Sequence, residues 1–343
     1  MKFLRTLLAL SLLLASGCGQ HVRYVQIKGY AQGGEYYVTC SLRETGRADE
    51  LKKAIDDTLS AIDWSVSGYN KGSRLTRINN GERVPLDSIF IDLFRMSRQL
   101  WQQTGGAFDV SAAPLFDVWG FGFKEGRMPS QQAVDSAMTL VGMDRFRLCE
   151  EDGATYLDMP EGGRLNFNAI AQGYSCDVVA SVLEAFGSDN YMVSLGGELV
   201  CRGLSARGDK WRVWIDRPED GNQISGALKQ DVISVTDCGL VTSGNYRKFY
   251  IVDGRKYSHT IDPATGRPVT HDLLSATVLA EDGATADALA TALMVVGPEK
   301  GREMAARWQS GPGGGQRGVY LVYGSQDNMQ VWHTPFLELE SGQ

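Results

Sequence analysis

Apolar positions recur at helical spacing in four stretches of the chain. Leu51, Ile55, Leu59 and Ile62 fall on one face of a helix predicted over residues 49–64, with Asp49 as its N-cap. A second helix opens at Asp87, carries Ile89, Leu93, Leu100 and Trp101 on one face, and stops at Gly105-Gly106. A third spans roughly Ile170 to Phe186 and ends at Gly187; a fourth spans roughly Thr285 to Val296, with Gly297-Pro298 as its terminator. Extended segments are expected at Tyr30 to Ser41, Tyr191 to Ser194, Trp211 to Ile215 and Val232 to Val235. An Asp253-Gly254 pair between two β-rich runs predicts a tight hairpin from Lys248 to His259, and period-two alternation puts Tyr257, His259 and Ile261 on one face of its second strand. Ser65 to Asn80 is turn-rich and polar, and residues 311–318 read as a loop between surface strands without the spacing of a phosphate loop. There is no internal repeat and no long linker. Helices and short strands interleave without a βαβ rhythm, which favours an α+β fold of one unit with two lobes.

The first seventeen residues stand apart from this pattern. Lys2 and Arg5 precede a leucine-rich run and then small residues, the arrangement of a secretory signal whose apolar stretch is short for a bilayer span. Ala15-Ser16-Gly17-Cys18 is similar to a bacterial lipobox, so residues 1–17 are expected to be cleaved and Cys18 lipidated, leaving a functional domain over residues 19–343. The domain would sit on the extracytoplasmic side of a bacterial membrane.

Charge and cysteine content narrow the classes further. The 34 basic and 41 acidic residues give −7; removing residues 1–17 takes away Lys2 and Arg5 and leaves −9. Such a chain has no basic footprint for nucleic acid. Cys40, Cys149, Cys176, Cys201 and Cys238 are widely and irregularly spaced, which predicts buried apolar thiols and neither a metal knuckle nor a disulfide framework.

Four segments have the residues for chemistry. Asp287 and Thr291 are four apart among alanines, so their oxygens emerge on one close-packed helix face. A hard cation such as Mg²⁺ accepts such ligands, although Asp287 would also suit the helix dipole alone. Asn166 to Tyr174 passes from an extended stretch into a helix through small residues, where free backbone groups meet a ligand or simply connect two elements. Ala107 to Gly122 is rich in aromatics and glycines, equally a ligand wall or core. His259 is either structural or a proton-transfer group.

Taken in order, these segments resemble the ApbE-like flavin transferases, the FAD:protein FMN transferase lipoproteins. The resemblance runs from Gly29 to about Arg302 through Ala31-Gln-Gly33, Tyr69-Asn70, Ser73-Arg-Leu-Thr-Arg77-Ile-Asn79, Phe108-Asp-Val, Pro114-Leu and Trp119-Gly-Phe-Gly. It continues through Ala169-Ile-Ala-Gln-Gly173-Tyr, Ser194-Leu-Gly-Gly-Glu198, Thr242-Ser-Gly-Asn-Tyr-Arg247, Tyr257-Ser-His-Thr-Ile-Asp-Pro263, Thr265-Gly-Arg-Pro268 and Ala286-Asp-Ala-Leu-Ala-Thr-Ala-Leu293.

The resemblance implies an α+β architecture of mostly antiparallel sheets with packed helices, holding flavin in a cleft between lobes. It also implies a Mg²⁺-dependent enzyme that takes FAD as substrate, moves FMN to a threonine or serine of a membrane-associated redox subunit, and releases AMP. Carried over by position, Asp287, Thr291, Ala169 and Ala290 would bind the metal. FAD would lie against Gln32, Tyr69, Ala107, Phe108, Asp109, Asn166, Gln172 and Ile261. The acceptor hydroxyl is a weak nucleophile that benefits from a positioned base, and His259 is the expected residue for that proton. Gly34-Glu35, Asn166 and Gln172 depart from the commoner pattern of threonine, aspartate and lysine, the last two changes leaving the local charge sum unaltered. Hydrolysis of FAD to FMN and AMP, or flavin binding without chemistry, are the rival readings on the same scaffold.

Overall fold

A computed structural model describes residues 23–121, 128–222, 228–246, 249–310 and 317–340. The signal segment, Cys18, Gly122, Arg247, Lys248 and most of the 311–318 loop lie outside them. The chain begins with β1 (Arg23–Ala31), β2 (Gly34–Leu42), α1 (Ala48–Val66), α2 (Arg74–Asn79) and α3 (Ser88–Gln103). It continues with α4 (Ala113–Val118), α5 (Gln131–Met138), β3 (Arg147–Glu151), β4 (Ala154–Asp158), α6 (Ala171–Ala185), β5 (Tyr191–Leu195) and β6 (Glu198–Arg202). Then come β7 (Trp211–Asp216), β8 (Lys229–Val235), β9 (Cys238–Gly244), β10 (Phe249–Val252), β11 (Arg255–Ser258), β12 (Ile261–Asp262) and β13 (Arg267–Pro268). The last elements are β14 (Leu273–Ala280), α7 (Gly283–Ser310), β15 (Gly318–Ser325) and β16 (Asn328–His333).

Eight strands form one sheet in the order β1-β2-β5-β6-β9-β14-β15-β16, every neighbouring pair antiparallel. One face buries Tyr36, Val38, Val193 and Leu195 against Leu51, Ile55 and Leu59 of α1 and Cys176, Val179 and Leu183 of α6. Further along the same face, Val241, Ala276, Val278, Val319 and Leu321 pack on α7, whose far side receives Phe90, Leu93 and Phe94 of α3. The other face carries Leu199, Leu240, Tyr320 and Val322 under the β7–β8 ribbon. Helices on one face of an antiparallel sheet make this an α+β protein, as its sequence predicts.

Several elements depart from the sequence reading. Tyr30 to Ser41 is not one strand but parts of the β1–β2 hairpin, turned by Gln32 and Gly33 at φ 51° and 82°. Asp49 is not the N-cap of α1; Arg47 is, without a side-chain cap, and Asp49 lies in the first turn. The polar stretch Ser65 to Asn80 contains α2, capped by Ser73, whose side chain accepts from the Thr76 N–H. Asp87 caps α3 as expected, accepting from the Phe90 N–H at 2.9 Å. The strand of His259 ends at Ser258, so period-two alternation does not reach Ile261, which pairs with Pro268 in a separate ribbon. Gly297, at φ 83°, breaks α7 without ending it, and a second helical half runs from Pro298 to Ser310. A Cβ at Gly297 would stand 2.7 Å from the His271 ring. That ring donates from Nε2 to the Met294 and Val295 carbonyls at 3.0 and 3.3 Å, satisfying the end of the first half. α7 ends at Ser310 and β15 begins at Gly318.

Candidate functional site

The site is built where two helices begin against each other. A Cβ on Gly173 of α6 would lie 2.2 Å from the Gly283 carbonyl oxygen, and one on Gly283 would lie 2.6 Å from the Gly173 oxygen. Only glycines allow this backbone approach. Asp177 of α6 locks it, its two carboxylate oxygens accepting from the Gly283 and Ala284 N–H groups at 2.7 and 2.9 Å. Burial raises its pKa to about 7 despite those two bonds.

Asp287 follows within the first two turns of α7 and is 4% exposed. Its Oδ2 accepts from the Gly173 N–H at 3.2 Å. Burial, then the nearby Glu198 carboxylate, hold the Asp287 carboxyl well above the usual carboxylate range. Thr291 lies one turn on and is half-buried, while the alanines at 284, 286, 288, 290 and 292 are fully buried. Ala290 belongs to the core, so its methyl offers a metal nothing and only its backbone has oxygen to give. Among the described residues, no three His, Cys, Asp or Glu side chains gather to hold a metal ion. An ion at Asp287 would therefore draw on hydroxyl, carbonyl and substrate oxygens.

The predicted flavin contacts surround the start of α6. Gln172 lies against Gly196, its Nε2 2.3 Å from where a Gly196 Cβ would be, with Glu198 Oε2 3.1 Å from that point. Gln32, at the β1–β2 tip, donates from Nε2 to the Ser175 hydroxyl at 2.6 Å. Asn166 accepts from the Asn168 N–H at 2.9 Å, and Asn168 donates to the hydroxyl of the exposed Tyr69 at 3.3 Å. The Asn166 N–H donates to the Val110 carbonyl, which places Asp109 beside this group. Asp109 accepts from the Ser111 N–H and hydroxyl, yet burial raises its carboxyl above the ordinary range. Phe108 is 1% exposed and belongs to the core. Ala107 and Ala169 are half-buried, and Ala107 helps line a cleft of about 550 Å³ with Asp262, Arg267 and Lys300.

His259 and Ile261 belong to a second group, packed against residues 112–121. Ile261 is 3% exposed and packs with Ala112, Leu115 and Trp119, so its side chain is core. His259 is half-buried, its ring edge-on to Phe121 at 6.5 Å. Phe121, Tyr250 and Tyr257 stack in series at 4.9 and 5.5 Å, and Tyr257 stacks on Trp119 at 6.1 Å. The next residue, Thr260, donates to Asn245 Oδ1 at 2.5 Å, tying the histidine loop to the end of β9. Asp177 and Asn245 were not among the predicted site residues. Asn245 lies inside a quoted motif without a role of its own, and Asp177 gains one only from a helix more than a hundred residues away.

Fold and site define an α+β protein whose centre is an oxygen-rich junction of two helix starts beside a histidine-bearing aromatic hairpin. Residues 25–311 match the ApbE family, and the chain belongs to it. It is 32% identical over 349 residues to the FAD:protein FMN transferase of Escherichia coli K12, covering 97% of this chain and 96% of that one. The Vibrio cholerae protein of the same name is 35% identical over 303 residues, covering 86% and 88%. The apo crystal structure of Pseudomonas stutzeri flavinyl transferase ApbE superposes with a TM-score of 0.79 at 30% identity, covering 92% and 95%.

Proposed function

We propose that the protein transfers the FMN half of FAD to a threonine or serine hydroxyl of an acceptor protein and releases AMP. The observation that carries this reading is Asp287, a carboxylate 4% exposed and one turn from Thr291, in a chain of the ApbE family. Hard oxygen donors from Asp287, Thr291 and the Ala169 carbonyl, with the Ala290 backbone beside them, suit Mg²⁺. That ion, when bound, offsets the diphosphate charge and polarises the phosphorus under attack.

The chain's own residues then have distinct tasks. Gln32, Tyr69, Asn166 and Gln172 present neutral donors to FAD, which avoids adding charge beside Asp287 and Glu198. Ala107, Phe108, Asp109 and Ile261 form the backing of the flavin site, contributing backbone where their side chains are core. His259 accepts the proton of the acceptor hydroxyl, whose oxygen forms the new bond to the FMN phosphorus. The bond broken is the one between that phosphorus and the bridging oxygen, which leaves with AMP. The Thr260–Asn245 hydrogen bond and the edge of Phe121 orient the imidazole. Cys18 carries the lipid that holds the domain at the outer side of a membrane, where membrane-associated redox subunits are the acceptors.

The test is purified protein with FAD and Mg²⁺, with and without a threonine-containing acceptor peptide. AMP release together with an FMN-sized mass gain on the peptide is expected, both abolished by chelation of the ion. AMP and free FMN in equal amounts with and without peptide would make the protein a hydrolase instead. Absence of AMP from flavin-saturated protein would leave it a binder.

A further inference from the structure

β6 and β9 are neighbours in the middle of the sheet, and their register sets Cys201 directly opposite Cys238. The two Sγ atoms are 3.9 Å apart. Opposed residues of an antiparallel pair keep their Cα atoms about 4.5–5.5 Å apart, within the span of about 4.4–6.8 Å that a disulfide bridges. Rotation about the two Cα–Cβ bonds therefore suffices to bring the sulfurs together. No such juxtaposition exists for the other described thiols: Cys40 faces Tyr191, Cys149 faces Tyr156, and Cys176 on α6 lies against the Glu198 carbonyl.

Both residues are nearly buried, at 2% and 5% exposure, and face the apolar layer under the β7–β8 ribbon beside Leu199, Trp211 and Leu240. We propose that Cys201 and Cys238 are a dithiol site that closes to a disulfide by exchange with a small-molecule or protein disulfide. One thiol loses its proton and attacks a sulfur of the incoming disulfide, releasing that partner's first thiol. The second thiol then attacks the mixed disulfide and releases the other. Two thiols are oxidised, one disulfide is reduced, and the protons pass to the departing thiols. Hydrogen bonding with Cys201 and burial hold the Cys238 thiol well above its usual range, so exchange is slow and the bond, once made, is shielded likewise.

Closure would tie β6 to β9 and cross-link the chain across the β7–β8 ribbon, which stabilises by constraining the unfolded state. The same strands carry Glu198 and Asn245 toward the site from their other ends, so the link braces the site without touching it.

Purified full-length protein is to be incubated with excess oxidised glutathione, unfolded in an alkylating reagent and digested without reduction. The expected product is one linked peptide pair joining Cys201 to Cys238, lighter by two hydrogens and separated by reductant. Oxidised protein is expected to melt several degrees above reduced protein, and Cys238→Ser to abolish the difference. Alkylation of both cysteines after prolonged oxidation, a stable glutathione adduct on either, or linkage to another cysteine would overturn the proposal. These readouts are independent of FMN transfer.

Discussion

Two buried carboxylates at the same helix junction answer to different forces. Asp287 receives one N–H bond and faces Glu198, so ionisation is opposed there. On the proposed reading its charge serves chemistry rather than stability. Asp287→Asn keeps the shape and removes the charge. AMP release is expected to fall about 10²–10³-fold, the usual effect of removing a group that stabilises transition-state charge. In chelator the melting temperature is expected to hold or rise, measured by thermal denaturation beside the activity assay. Asp177 is structural, with both oxygens taken by the start of α7. Its pKa is raised from the ordinary 3.8 to about 7. A carboxyl raised on folding contributes stability that is complete below its unfolded value and lost as pH rises through the folded one. Asp177→Asn does not titrate and can accept only one of the two N–H bonds. Its deficit against the wild type is therefore expected to be largest near pH 4, to shrink toward pH 7, and to stay constant above. Melting temperatures across that range would expose the opposite slope if the carboxylate were the favoured form.

Element packing concentrates the same junction into one position. Ala at Gly173 forces its Cβ into the Gly283 carbonyl, so α6 and α7 must separate by part of an ångström. Gly173→Ala is expected to cost about 1–3 kcal/mol and to weaken AMP release through displacement of Asp287. Gly46→Ala, with nothing within 4 Å of its Cβ, is expected to stay within about 0.5 kcal/mol, as denaturant titration would show. The contrast also marks what a sequence reveals. Helices α1, α3 and α6 were readable because each buries a single stripe, and Asp87 announced its own cap. Strands β14 and β15 were not, because they are central and buried on both faces, which erases alternation. Val319 and Leu321 face the helices while Tyr320 and Val322 face the ribbon, all apolar. In β14 an irregularity between Leu273 and Ser275 shifts the parity as well. The β1–β2 turn uses Gln-Gly rather than Asn-Gly and so lacked the usual signal. At the proposed site, spacing alone put Asp287 and Thr291 on one helix face, and the structure keeps them one turn apart on α7. The polar clasp of Gln32 on Ser175 was not legible, since it depends on β2 finding β5 across about 150 residues of chain.

At the scale of the whole molecule, the proposed site draws on residues from Gln32 to Thr291, so its parts come together only in the tertiary fold. What positions that fold relative to a membrane is a separate matter. Among the described residues no helix is long and apolar enough to cross a bilayer. The chain after Gly17 carries −9, which gives it no attraction to an anionic lipid surface. On the reading proposed above, membrane retention rests on acyl chains at Cys18, each buried methylene contributing about 0.8 kcal/mol, so that two signals or chains suffice for a stable anchor. Cys18→Ser is expected to move the protein from the membrane fraction to the soluble fraction. Because Cys18 is remote in sequence from Asp287 and His259, the variant should release AMP with a dissolved acceptor peptide at the wild-type rate. Modification of an acceptor embedded in vesicles should fall, since the two partners no longer share a surface and their effective concentration drops. Persistence of the variant on membranes after a high-salt wash would instead assign retention to another part of the chain and leave Cys18 without a role in it.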